Sequence, residues 1–164
     1  MRDIRWVDEN DSPSVVGSRA LHSLDHFDIS ATRRFTVTQY GASPHPETEK
    51  SPAYRTLLLM NALHTLALTD CLNLDFAFAL DPNRTPYKAV VSPELEELVL
   101  YVKTEARLCV DELLEMVKER DSRGAKLSTI TIVCPRESVP AKGVNKLMDH
   151  VALVEYRLED IVPE

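Results

Sequence analysis

Three groups of residues in this 164-residue chain have types and spacings that could do chemistry. His22 and His26 stand four apart on a segment predicted helical over 14–27, with Asp25 between them, and that is a metal-ligand spacing. No HExxH motif or cysteine pair completes a site. The two histidines lie opposite Leu21, Leu24 and Phe27, so they read as solvated side chains. Cys71 could act as a nucleophile with His64 as its base. Their separation of seven is odd, however, so an extended chain points them to opposite faces. No spacing supplies a third, orienting group. Cys71 therefore reads as a buried turn cysteine, and Cys109 and Cys134 as small apolar fillers. Asp111, Glu112, Glu115 and Glu119 form a carboxylate cluster. It is explained by the acidic N-terminal end and solvent face of a helix, pairing with Lys118 and Arg120. General acid–base chemistry needs a carboxylate in a concave, dry site, and nothing in the sequence provides one. Only four glycines occur, and neither GxGxxG nor GxxxxGK is present. No catalytic residue, cofactor or metal is expected on these grounds.

The elements that would position any site come next. Lys and Arg number 19 against 26 Asp and Glu, a net charge of −7. That balance disfavours nucleic acid, which calls for a basic face. No apolar run is long enough to span a membrane. The start of the chain carries Arg2, Asp3, Arg5, Asp8, Glu9 and Asp11, and so holds no signal-peptide core. Three scattered cysteines without a secretory signal predict reduced thiols in the cytoplasm or nucleus. Residues 1–13 read as a frayed lead-in, and 41–53, with Pro44, Pro46 and Pro52, as a loop. The expected organisation is an irregular or capping segment over 1–56 and one repeat-built domain over 57–164.

The repeat is the strongest signal. Leu63-x-x-Leu66-x-Leu68, Leu95-x-x-Leu98-x-Leu100 and Leu127-x-x-Ile130-x-Ile132 share one pattern. Val151-x-x-Val154-x-Tyr156 is a weaker copy, and Thr32-x-x-Phe35-x-Val37 a possible one upstream. The copies start at Thr32, Leu63, Leu95, Leu127 and Val151, evenly spaced except for a shorter last interval. A near-fixed period with one apolar signature marks an internal repeat. Each copy reads as a short strand. Between strands, Val110, Leu113, Leu114 and Val117 form an amphipathic helical stripe, stopped at Gly124. Val144, Leu147, Met148 and Val151 repeat that spacing, and a shorter helix is predicted from Asn73 to about Leu80. Alternating strands and helices predict parallel strands with crossovers. A doubly wound sheet and a leucine-rich-repeat arc both fit. The alternation of Thr and Ala with Leu and Ile predicts one solvent-open face, which favours an α/β arc of four to five parallel strands with helices on its convex side.

The copy Leu63-x-x-Leu66-x-Leu68-x-x-Cys71 resembles a leucine-rich repeat. From about Leu57 to Glu164 the chain is similar to the C-terminal part of F-box/leucine-rich-repeat proteins of mushroom-type (basidiomycete) fungi. The resemblance is carried by Leu95-Glu-Glu-Leu-Val-Leu-Tyr-Val102, Glu112-Leu-Leu-Glu-Met-Val117, Ser122-Arg-Gly-Ala-Lys-Leu-Ser-Thr-Ile-Thr-Ile-Val133 and His150-Val-Ala-Leu-Val-Glu-Tyr-Arg157. It implies a ubiquitin-ligase substrate receptor, whose F-box docks on a cullin adaptor while its repeats hold the target. No Leu-Pro-rich helical F-box block stands near the start. The part of the role that carries over is recognition by the repeats, without adaptor binding.

In an arc, the residues alternating with the inward leucines make a ladder: Arg34, Thr36 and Thr38; Thr65, Ala67 and Thr69; Glu97, Val99 and Tyr101; Thr129, Thr131 and Val133; Leu153, Glu155 and Arg157. From Thr65 onward, and without Leu153, these are the candidate protein-binding residues. Tyr101 is a central aromatic anchor, while Tyr156 is expected to point into the core. The partner expected is a protein, not nucleic acid, membrane or a small molecule. The alternative is a small α/β enzyme or ligand-binding domain. It should cluster polar groups after several strands, whereas only Asp70 is an acid among the residues there.

Overall fold

The computed structural model describes residues 3–5, 28–38, 51–69, 73–102, 108, 110–135 and 143–159. The expected 14–27 helix, most of the 41–53 loop, His22, Asp25, His26, Asp70, Cys71 and Cys109 lie outside these residues.

Six strands form one sheet: β1 (Asp3–Arg5), β2 (Arg34–Thr38), β3 (Thr65–Thr69), β4 (Glu97–Tyr101), β5 (Thr129–Pro135) and β6 (Leu153–Glu159). They lie side by side in chain order, and every neighbouring pair is parallel. There is no reversal of strand order, so the doubly wound alternative, with its switch point, is excluded. Register follows the sequence repeat: Phe35, Leu66, Leu98, Ile130 and Val154 form one row, and Val37, Leu68, Leu100, Ile132 and Tyr156 the next.

Strand entry repeats as well. Arg33 O accepts the N–H groups of His64 (2.8 Å) and Thr65 (3.0 Å). His64 O likewise accepts Glu96 (3.0 Å) and Glu97 (2.9 Å), and Glu96 O accepts Ser128 (2.8 Å) and Thr129 (3.0 Å). One carbonyl per repeat thus fixes where the next strand begins.

Helices α1 (Pro52–Leu59), α2 (Asn73–Leu80) and α3 (Val110–Ser122) connect successive strands, and a 3₁₀ segment, Val144–Asp149, precedes β6. α2 packs between α1 and α3, and α3 packs on the 3₁₀ segment. The core joins Leu57, Phe76, Leu80, Leu113, Met116, Val117 and Leu147 to the Phe35 and Val37 rows of the sheet. Only one parity of strand residue enters it, so the helices occupy one face. Each fully buried Leu or Ile contributes about 1.5–3 kcal/mol. Val110, Leu113, Leu114 and Val117 are buried as their spacing predicts. Gly124, at φ +76, ends α3 in a Schellman turn, with Ala125 N–H on Arg120 O (3.0 Å) and Gly124 N–H on Asp121 O (3.1 Å).

Several expectations are corrected. Asp3–Arg5 is a strand rather than part of a frayed lead-in. α1 runs across the 56/57 division, starting with Pro52 in its first turn, where a missing N–H costs nothing. β1 and β2 extend the sheet on the N-terminal side of that division, giving six strands rather than four to five. Met148 is exposed, because the segment is 3₁₀ with a period of three, which stacks Val144 on Leu147 and swings the fourth position outward.

Arg120 is the largest correction. Expected as a surface partner for carboxylates, it is fully buried. Its guanidinium donates to Val91 O (Nη1, 2.7 Å) and Ser92 O (Nη2, 3.0 Å), while Ser92 Oγ donates to Leu57 O (3.0 Å). This chain of bonds ties α3 and the end of α1 to the loop before β4, where Ser92 holds a left-handed φ of +46. Glu115 and Glu119 pair instead with Arg84 (3.3 Å) and Arg123 (4.0 Å).

Candidate protein-binding face

The sheet face away from the helices carries the ladder residues in three rows set by the register. The first is Arg34, Thr65, Glu97, Thr129 and Leu153. Arg34 and Leu153 are exposed and the three between are half-buried. Thr65 Oγ1 donates to Glu97 Oε2 across the β3–β4 pair at 3.0 Å, holding the carboxylate along the row. The second row is Thr36, Ala67, Val99, Thr131 and Glu155, and the third runs Thr38, Thr69, Tyr101, Val133 and Arg157.

The expectation of a face open throughout fails at its middle. Ala67, Val99, Thr131 and Val133 are all buried, although they do not join the core on the helix side. Central strands of a parallel sheet are commonly buried on both faces. Water therefore reaches the rim and not the floor. The rim comprises Thr65, Glu97 and Thr129 along one row, Thr69 and Tyr101 beyond the floor, and Glu155 and Arg157 on β6. Tyr101 is 37% exposed and is the rim's one aromatic group among the described residues. Arg157 Nε donates to Glu155 Oε2 at 2.9 Å, so these two charges neutralise each other.

The other candidates are not drawn together. The His64 ring nitrogen Nδ1 lies 2.8 Å from Ala62 O and 3.9 Å from Glu94 Oε2. Cys134 is a free thiol buried in the core, as expected of an apolar filler. Tyr156 packs against the core from β6. Among the described residues, no three His, Cys, Asp or Glu side chains gather closely enough to hold a metal ion. No described helix is long and apolar enough to cross a membrane.

Two features had a readable signal. Met1-x-x-Ile4-x-Trp6 has the repeat spacing, stands one period before Thr32, and marks β1. Arg120 stands three positions after Val117, on the buried stripe of α3. The Thr65–Glu97 hydrogen bond had none beyond the repeat period itself. Compared with protein-family models, with curated proteins and with solved structures, the chain matches none.

Proposed function

We propose that this chain is a non-catalytic protein-interaction module, a leucine-rich-repeat-like arc of the kind that recognises substrates in F-box/leucine-rich-repeat receptors. The observation that carries this reading is the in-order parallel sheet whose described helices pack on one face. Such a sheet leaves a broad strand surface available to a partner. Its rim suits a flat protein surface. Tyr101 offers a rigid aromatic anchor beside a dry floor, while Glu97 accepts a hydrogen bond from Thr65 and Glu155 pairs with Arg157. Ala67, Val99, Thr131 and Val133 support the rim from below and are no longer counted as contact residues.

The test is quantitative affinity capture with the full chain. Wild type is compared with Tyr101→Ala/Thr129→Arg, and with Leu58→Ala, which changes an exposed residue on the helix side. The reading requires a captured protein that the rim variant loses, roughly tenfold or more, as for an anchor residue, and that Leu58→Ala retains. Equal capture by all three chains contradicts it.

A further inference from the structure

The connection from α2 to β4 carries Tyr87, the most exposed large apolar side chain among the described residues. Its ring is fully exposed and packs on nothing in the chain. Its backbone is left-handed (φ +58, ψ +16), and so is that of Lys88 beside it (φ +53). Pro86 leads into the turn, with Lys88 N–H on Thr85 O (3.1 Å) and Ala89 N–H on Pro86 O (3.3 Å). Glycine and asparagine take such positions readily. A tyrosine there is strained, and no contact of its side chain offsets the strain. A strained residue that the packing does not require points to a role outside the fold.

The turn is nevertheless held from both sides. Thr85 is buried, and its hydroxyl donates to Ala89 O at 2.6 Å and lies 3.0 Å from Pro82 O, closing the base of the loop. Arg123, just after α3, donates from Nη1 to Lys88 O (3.1 Å) and from Nη2 to Asn83 Oδ1 (3.2 Å). Arg84 lies over the Phe78 ring and pairs with Asp81 (3.3 Å) and Glu115 (3.3 Å). The two arginines are thus engaged within the chain. Lys88 is exposed, and among the described residues no carboxylate pairs with its ammonium.

We propose that the 85–89 turn is a preformed docking knob for a protein partner. The Tyr87 ring seats in an apolar slot of that partner, and a carboxylate at the mouth of the slot meets Lys88. A ring presented on a clamped turn loses little conformational freedom on binding, and an aromatic side chain buried in a fitting slot is the usual anchor of an interface. The knob stands on the α2–β4 connection and is independent of the rim reading.

Two measurements on the full chain test it. In urea unfolding, Tyr87→Gly relieves the left-handed strain and raises the folding equilibrium constant roughly threefold or more, net of the greater freedom of glycine in the unfolded chain. A lower constant means that the ring serves the fold, and overturns the proposal. For binding, p-benzoylphenylalanine placed at position 87 is photo-cross-linked in an extract of cells that make the chain, and the cross-linked protein is identified and purified. Its Kd is then measured by titration with wild type, Tyr87→Gly and Lys88→Glu. The expected result is a loss of roughly tenfold or more for Tyr87→Gly, although that variant is the more stable, and a loss for Lys88→Glu that shrinks as salt is raised. Absence of any cross-linked protein, a Kd that Tyr87→Gly leaves unchanged, or tighter binding by Lys88→Glu overturns it.

Discussion

Arg120 shows how one side chain organises the helix layer. Burial pushes its pKa down from the ordinary arginine value to about 10, so it remains a cation through neutral pH. Two backbone carbonyls accept its protons, and Nε has no hydrogen-bond partner. Arg120→Met keeps the length and removes the charge, but leaves the Val91 and Ser92 carbonyls without that donor. A loss of about 1–3 kcal/mol in denaturant unfolding is expected, the cost of stranding a buried acceptor set against the relief of a desolvated cation. The pH dependence has a definite sign. The folded chain holds this proton less tightly than the unfolded one, so the unfolded state binds more protons from about pH 10 up to the ordinary arginine range. Wild-type stability relative to Arg120→Met is therefore flat below about pH 10 and rises through that window; a difference that falls there contradicts the burial. The position was legible, since the stripe Val110, Leu113, Leu114, Val117 continues to residue 120. Residue type pointed to the surface and spacing pointed inward. Spacing won, because the Val91 and Ser92 carbonyls lie within hydrogen-bonding reach of the guanidinium.

At the scale of elements, the strands were the most legible part of the chain. The L-x-x-L-x-L period predicts not only which segments are strands but their pairing: positions one period apart, such as Leu66 and Leu98 or Leu98 and Ile130, are in register. The sharing of one carbonyl by two N–H groups at the entries to β3, β4 and β5 explains why the period tolerates loops of different length. What lies between strands was less legible. The last connection, from Pro135 at the end of β5 to Leu153, belongs to the shortest repeat. Its described helical part is the 3₁₀ segment, whose threefold period exposed Met148. Alternation was also misleading at the sheet's centre, where Ala67, Val99, Thr131 and Val133 are buried on the face their spacing assigned to solvent. The two faces are separable by mutation. Leu98→Asp buries an unpaired charge in the core and is expected to leave the chain unfolded or at least 3 kcal/mol less stable, as roughly estimated for a buried unpaired charge. Thr129→Arg, on the rim, is expected within about 0.5 kcal/mol of wild type. Thr131→Arg, two positions along the same strand, is expected to cost about 2 kcal/mol or more, since Thr131 is only 3% exposed. Equal thermal melting of the two threonine variants would contradict a buried floor beside an open rim.

For the molecule as a whole, strand order decides more than any single residue. A parallel sheet whose strands follow chain order, joined by crossovers of one hand, carries every connection over the same face, which gathers α1, α2 and α3 into one layer opposite the ladder side chains. The period in the sequence was sufficient to reach this arrangement from Thr32 onward, and Met1-x-x-Ile4-x-Trp6 extends it by one strand. The rim was legible only as a set of alternating positions. Which of those positions reach solvent is a property of the assembled sheet. The most direct test of the stacking is the distance between spin labels at Arg34→Cys and Leu153→Cys in a background without the native cysteines. These two exposed residues share one row, four strand spacings apart. At about 4.8 Å per strand, in-order parallel pairing predicts a narrow distribution centred near roughly 2 nm between backbones, lengthened only by the label arms. A broad distribution, or a centre beyond about 4 nm, well outside that row spacing, would contradict it.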